Sequence, residues 1–116
     1  NDLTTDKKIY KRIQMLVRKK PSIRLWGVTN SFAKAVNRRF KKIRSNNWAE
    51  TIKLKVLIIN NTNDTVVYSK KIMEMHKRLK NSEIIEFDET KHEIFMEREK
   101  FQKKLWNKID NFLKTN

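Results

Sequence analysis

The feature that most constrains the fold is a short apolar stretch in the middle of the chain. Residues 54–60 have the sequence LKVLIIN, in which four branched aliphatic residues follow one another without a polar interruption. A strand with one solvent-exposed face alternates polar and apolar residues. A continuous apolar run is instead typical of a strand in a parallel sheet, both faces of which are covered by helices. The stretch therefore predicts an α/β fold with parallel strands.

The flanking patterns place this strand in a regular order. A second apolar stretch predicts a strand over residues 83–87, and one-sided apolar spacing predicts helices over residues 6–19, 31–44, 69–80 and 97–113. From the first strand onward the order is strand, loop, helix, strand, loop, helix, which is a right-handed crossover unit. Two strands alone leave their edges unpaired. We therefore expect the chain to belong to a larger sheet, or to associate through an exposed strand edge.

The charge of the chain is strongly one-sided. Lys and Arg number 28 against 13 Asp and Glu, for a formal net charge of +15. This excess is compatible with an anionic partner, either a membrane surface or nucleic acid. The interpretation we favour is a compositional bias toward Lys, Asn and Ile, because the basic residues are spread from Lys7 to Lys114 rather than gathered into one tract. Trp26, Trp48 and Trp106 are scattered, which favours packing anchors over base-stacking platforms. Nucleic acid is therefore not the expected partner, and an anionic membrane surface stays open.

Several classes of protein are disfavoured by what the sequence lacks. It has no Cys, its two histidines do not have metal-site spacing, and it has no glycine-rich phosphate loop, so we expect no metal and no cofactor. Its apolar runs are too short to cross a membrane. We expect a cytoplasmic protein, or one peripheral to the inner face of a membrane. A start at Asn1 with a single Gly and a single Pro leads us to expect a fragment of a longer protein.

Two loops are candidates for a functional site. Residues 60–65 follow the first predicted strand, and residues 88–93 follow the second. Sites in open α/β sheets form at the carboxyl ends of the strands, so Asp64 and His92 are expected at the same edge. A carboxylate that holds one ring nitrogen of a histidine allows the other to act as a general base. The alternatives are a turn or helix-capping role for Asp64 and an exposed loop position for His92.

The same residues resemble a known family. Residues 56–67 (VLIINNTNDTVV) resemble the strand-then-acid motif of α/β-hydrolases, and residues 90–94 (TKHEI) resemble the motif in which the catalytic His is followed by Glu. Residues 3–6, 27–29 and 32–35 are similar to the segment before the acid strand in lysophospholipase L2 and monoacylglycerol-lipase-like hydrolases, of the serine aminopeptidase S33 type. The resemblance covers most of the chain. It departs from the family at Asn60-Asn61 and at Tyr68.

This resemblance implies a role for each part of the chain. Asp64 and His92 would be the acid and base of a Ser–His–Asp triad, and Glu93 would help to position the His loop, unless it is only a helix-start acid. Residues 1–30 would be the end of the cap and its connection to the core, and residues 31–116 the C-terminal part of the core. The substrate would be a lipid ester, either a lysophospholipid or a monoacylglycerol.

One part of the family's machinery is missing from the sequence. The nucleophile of the family sits in Gly-x-Ser-x-Gly on a sharp strand-to-helix turn. None of the five serines here is flanked by these glycines; they are Ser22, Ser31, Ser45, Ser69 and Ser82. In the family order the serine would precede Asn1. We therefore expect that this chain alone does not hydrolyse esters, and that the intact parent is a carboxylic ester hydrolase.

Overall fold

The described part of the chain combines helices with a small sheet. The computed structural model describes residues 2–25, 27–45 and 47–115. Within them lie four α-helices and two strands, which are α1 (Lys7–Lys19), α2 (Asn30–Arg44), β1 (Val56–Asn61), α3 (Ser69–Arg78), β2 (Ser82–Phe87) and α4 (Glu99–Lys114). Short 3-10 turns cover Pro21–Ile23, Ala49–Thr51 and Ile94–Met96. The predicted mixed α/β class is confirmed at this coarse level.

The two strands are parallel, as the continuous apolar run predicts. Val56 lies opposite Ser82 at one end of the pair, and Asn61 lies opposite Phe87 at the other. Because side chains alternate between the faces of a sheet, Ile59 packs toward the core on one face. Val56 and Ile58 line an apolar groove of about 640 Å³ on the other, bounded by α2 and α3. The carboxyl ends of both strands therefore meet at one edge.

The core lies between the sheet and the C-terminal helix. Its buried members are Phe87 of β2, Ile94 of the third 3-10 turn, and Phe101 and Leu105 of α4. The rings of Phe87 and Phe101 meet edge to face with their centroids 6.3 Å apart, a favourable geometry for aromatic pairs. The loop over residues 88–93 connects two of these buried elements, so its two ends are held in place by the core.

The ends of the helices follow local hydrogen bonding. Asp6 caps α1 by accepting from the amides of Lys8 and Ile9. Two predicted helix ends are shifted by two residues, and the first strand begins at Val56 rather than at residue 54. α3 stops at Arg78 because the chain must turn before β2 starts at Ser82. α4 starts at Glu99 rather than residue 97, because the 3-10 turn comes first and the Glu97 side chain is directed elsewhere.

The tryptophans have different surroundings. Trp48 is half-buried and lines the apolar groove. Trp106 is half-exposed, with its ring centroid 5.6 Å from that of Phe95. Trp26 lies outside the described residues. No helix in the described ranges combines the length and the apolar character needed to cross a bilayer.

Candidate acid–base site

The structure brings Asp64 and His92 together. Asp64 lies in the turn after β1, and His92 lies in the loop after β2. Oδ2 of Asp64 is 2.8 Å from Nδ1 of His92, within the range of a charge-assisted hydrogen bond. The Asp64 side chain is 7% exposed, and that of His92 is 29% exposed. The acid of this pair is therefore shielded, while solvent or a substrate can reach the histidine.

Asp64 also holds its own turn. Its Oδ1 accepts from the amide of Val66 at 2.7 Å and from the amide of Val67 at 3.1 Å. Its backbone amide donates to the carbonyl of Asn61 at 3.2 Å. One carboxylate oxygen therefore closes an Asx-type turn, and the other contacts the histidine. The turn role and the His-partner role, which the sequence leaves as alternatives, are both filled by the same side chain.

The electrostatics of the pair favour an ionised acid. Burial raises the pKa of Asp64, but the hydrogen bonds from His92 and from the amides of Val66 and Val67 outweigh it, so the net pKa lies below its ordinary value. An ionised carboxylate can only accept hydrogen bonds. Nδ1 of His92 must therefore donate, and Nε2 is the acceptor nitrogen of the neutral ring.

The two loops that carry the pair are joined to one another. The amide oxygen of Asn61 accepts from the buried hydroxyl of Thr90 at 2.7 Å, and its amide nitrogen donates to the carbonyl of Lys91. The Asn63 side chain donates to the carbonyl of Asp88. Asn61 at the end of β1 and Asn63 in the following turn therefore continue the link between the two chain segments beyond the paired strands, and they hold Asp64 beside His92.

The N-terminal residues run beside the His loop. The amide of His92 donates to the carbonyl of Asp2 at 3.4 Å, and that of Glu93 donates to the carbonyl of Leu3 at 2.8 Å. The hydroxyl of Thr4 donates to the carbonyl of Met96 at 2.6 Å. The backbone of the His loop is therefore supported by a segment about 90 residues away in the sequence.

Glu97 is the residue that sequence reasoning missed. Its side chain is fully buried. Its Oε1 accepts from the amide of Thr5 at 2.8 Å and from that of Lys91 at 2.9 Å, and its Oε2 accepts from the hydroxyl of Thr5. One carboxylate thus connects the N-terminal segment to the residue before His92. The sequence shows only an acid near a helix start, which gives no sign of this role.

Glu93 contributes through its backbone. Its side chain is half-buried and makes no hydrogen bond or ion pair with the residues that the structure describes. Its predicted role in positioning the His loop stays a prediction, because the observed side-chain support for the loop comes from Asn61, Asn63 and Glu97.

The other histidine lies at the opposite end of the sheet. Nδ1 of His76 is 2.8 Å from the hydroxyl of Ser82, the first residue of β2. Ser69 accepts from Asn60 at 2.9 Å at the start of α3. These two serines are therefore engaged in holding α3 to the strands. In the described ranges, no three acidic or His side chains come together as a metal site would require.

Comparisons of the chain with protein-family models, with curated proteins and with solved structures gave no match. The geometry of the Asp64–His92 pair, together with its surroundings, is therefore the basis for a functional proposal.

Proposed function

We propose that this chain supplies the acid and base of a Ser–His–Asp ester hydrolase of the α/β-hydrolase fold. The observation that carries the proposal is the 2.8 Å contact between Asp64 and His92, at the carboxyl ends of adjacent parallel strands. Sites in α/β sheets form at this edge. The acid-then-base order also agrees with that of α/β-hydrolases.

Each residue of the pair has a defined task in the reaction. A serine supplied from outside this sequence attacks the acyl carbonyl, and Nε2 of His92 takes its proton. Asp64 stabilises the imidazolium that forms and holds the ring in the required tautomer. His92 then passes the proton to the leaving alcohol, and an acyl-enzyme results. In the second half of the reaction His92 takes a proton from a water molecule, which attacks the acyl-enzyme. His92 then returns the proton to the serine oxygen, so that the carboxylic acid is released and the serine is restored.

The surroundings of the pair support this proposal over an incidental loop contact. A general base must be held in a fixed position to act efficiently, and its orienting partners are part of that requirement. His92 is oriented by Asp64, and its loop is held by Asn61, by Glu97 and by the N-terminal backbone. An exposed loop histidine with no function has no need of this degree of fixation.

The substrate class follows from the resemblance to lysophospholipases and monoacylglycerol lipases. We extend the proposal to lipid esters with one acyl chain, a lysophospholipid or a monoacylglycerol. In this arrangement the N-terminal residues connect a cap to the core. The parent would then be a lipid-metabolising serine hydrolase.

The proposal is tested by joining two pieces of protein. The first is the N-terminal part of an α/β-hydrolase, which carries the Gly-x-Ser-x-Gly nucleophile and the oxyanion loop but from which the acid and base have been removed. The second is this chain. The joined protein is expected to hydrolyse monoacylglycerol or lysophosphatidylcholine. Asp64→Asn should lower kcat by about 10,000-fold and His92→Ala by about a million-fold. The matched controls are His76→Ala and Asp88→Asn, which should retain activity. Equal loss in His76→Ala and His92→Ala would contradict the proposal.

The chain alone provides a second test. Because it lacks a suitable serine, we expect it to show no turnover of a short-chain p-nitrophenyl ester above the level of His92→Ala. Turnover that disappears in His92→Ala would show that the chain carries its own nucleophile, and the proposed division of the triad would be wrong.

A further inference from the structure

The net charge of the chain is concentrated in one segment. No Asp or Glu occurs between Asp6 and Glu50, and fourteen Lys and Arg lie there. We call residues 7–49 the basic segment. The remaining residues carry fourteen basic and thirteen acidic side chains and are nearly neutral. A compositional bias would act along the whole chain, so it does not account for this one-sided distribution.

The basic segment also exposes apolar side chains. Its main helical elements are α1, the 3-10 turn at Pro21–Ile23, and α2, and neither α-helix contains a buried residue. In the connection between the helices, Leu25 is 93% exposed and Val28 is 74% exposed. Five more large apolar residues are about half-exposed, namely Met15, Leu16, Ile23, Phe32 and Phe40. Cations and exposed apolar groups therefore occur together in the segment.

We propose that the basic segment docks on the surface of an anionic lipid bilayer. Lys and Arg near such a surface are attracted to the lipid headgroups. An amphipathic helix inserts its apolar side at the boundary between headgroups and acyl chains. Both the cations and the exposed apolar side chains of the basic segment would therefore contribute to binding. The phosphates of a nucleic acid would also attract the cations, but they would make no apolar contact with Leu25 and Val28.

The segment starts next to the acid–base pair. Glu97 binds Thr5 and Lys91 together, and α1 begins at Lys7, two residues beyond Thr5. Docking of α1 would hold His92 close to the membrane surface, where lipid esters are found. This consequence rests on the proposed function, whereas the docking itself does not.

Vesicle flotation tests the proposal on the full chain. The vesicles contain phosphatidylcholine alone, or phosphatidylcholine with a third of phosphatidylglycerol. We expect at least about tenfold tighter binding to the anionic vesicles, and weaker binding as salt rises. Equal binding to both vesicles, or binding to neither, would overturn the proposal.

A charge variant locates the contact. The variant carries Lys7→Gln, Lys8→Gln, Lys11→Gln and Arg12→Gln. We expect it to bind anionic vesicles more weakly, by about fivefold for each replaced cation. The control carries Gln at four exposed lysines outside the segment, Lys70, Lys77, Lys108 and Lys114, which changes the net charge equally. The control should bind far more tightly than the α1 variant. Equal losses would show that only total charge matters, and the localised docking would be wrong.

A variant that lacks two exposed apolar side chains, called the apolar variant, distinguishes a bilayer from a nucleic acid as the partner of the basic segment. Leu25→Asn with Val28→Asn should weaken vesicle binding by at least about tenfold. Leu54→Asn with Leu113→Asn, which changes two exposed leucines outside the segment, should not. Circular dichroism checks that each variant retains its helices. Unchanged vesicle binding by the apolar variant, with tighter binding to single-stranded RNA, would assign the segment to nucleic acid instead.

The two proposals can fail separately. His92→Ala and Asp64→Asn should bind anionic vesicles as the parent chain does, because neither residue lies in the basic segment. Loss of vesicle binding in these variants would contradict docking through residues 7–49. A lack of hydrolysis in the joined protein, with vesicle binding intact, would contradict only the proposed enzymatic role.

Discussion

At the scale of single residues, the two oxygens of Asp64 do different things. Oδ1 accepts from two backbone amides of its own turn, and Oδ2 accepts from His92. The polar loop after an apolar strand makes an aspartate turn foreseeable from sequence. The contact with His92 depends on the pairing of β1 with β2, and is foreseeable only once both strands are taken to be parallel. The contact between Asp64 and His92 could therefore be predicted from sequence. Which carboxylate oxygen of Asp64 contacts His92, and which one accepts from the turn amides, could not.

The pH dependence of stability gives a prediction for Asp64. Its pKa is lowered in the folded chain, so its contribution is fully present above the unfolded value of about 3.9 and is lost as pH falls through the lower folded value. Asp64→Asn should lower the free energy of unfolding by about 1–3 kcal/mol at neutral pH, and the difference should narrow in acid. Urea unfolding across pH measures this, with the exposed Asp88→Asn as control. A difference that widens in acid would contradict it.

Glu97 gives a second prediction. Glu97→Ala removes the acceptor of the Thr5 and Lys91 amides, and buried donors without a partner are costly. We expect a loss of about 2–4 kcal/mol in the free energy of unfolding, together with a change in the NMR signals of the His92 ring. Glu93→Ala is the matched control and should do much less. An equal effect of the two variants would show that the His loop does not depend on the buried carboxylate.

At the scale of elements, apolar periodicity predicts all four helices and both strands, and the structure confirms each of them. Periodicity reports which side chains share a face, so it identifies a long element well. It misses the 3-10 turn at Ile94–Met96, where three residues are too few to show a period. That turn directs Glu97 away from α4 and toward Thr5, which explains why the predicted start of the last helix is two residues early.

Capping of α1 gives a prediction at this scale. Asp6 accepts from the amides of Lys8 at 2.8 Å and Ile9 at 3.0 Å. Asp6→Ala should cost about 1 kcal/mol and should speed amide hydrogen exchange in the first turn of α1 only. Thr29→Ala, which removes the cap of α2, should speed exchange only there. Faster exchange in both helices from either variant would contradict independent capping.

At the scale of the whole molecule, the sheet keeps an unpaired edge. The amides of Val56 and Thr62 donate to carbonyls beside and within β2, at Asn81 and Phe87. Backbone groups of a parallel strand alternate in direction from one residue to the next. The amides of Leu57 and Ile59 therefore point to the other edge, where the described residues provide no third strand. That the two strands belong to a larger sheet stays a prediction.

The free edge leads to a prediction about assembly. We expect the isolated chain to associate as its concentration rises, because unpaired edges favour pairing with another chain. Leu57→Pro removes an amide that points away from β2 and should reduce association. Leu54→Pro, just before the strand, is the control and should not. Light scattering measures the mass, and a monomer at all concentrations would contradict association through this edge.

The sequence by itself determined the mixed α/β class, the parallel strands, the edge at which a site would form, and the two residues that meet there. These follow from periodicity and strand order, which are properties of neighbouring residues. Only the tertiary structure decided that Glu97 supports the His loop, because its partner Thr5 lies 92 residues away. A hydrogen bond between such distant residues depends on how the whole chain folds, and no local pattern records it.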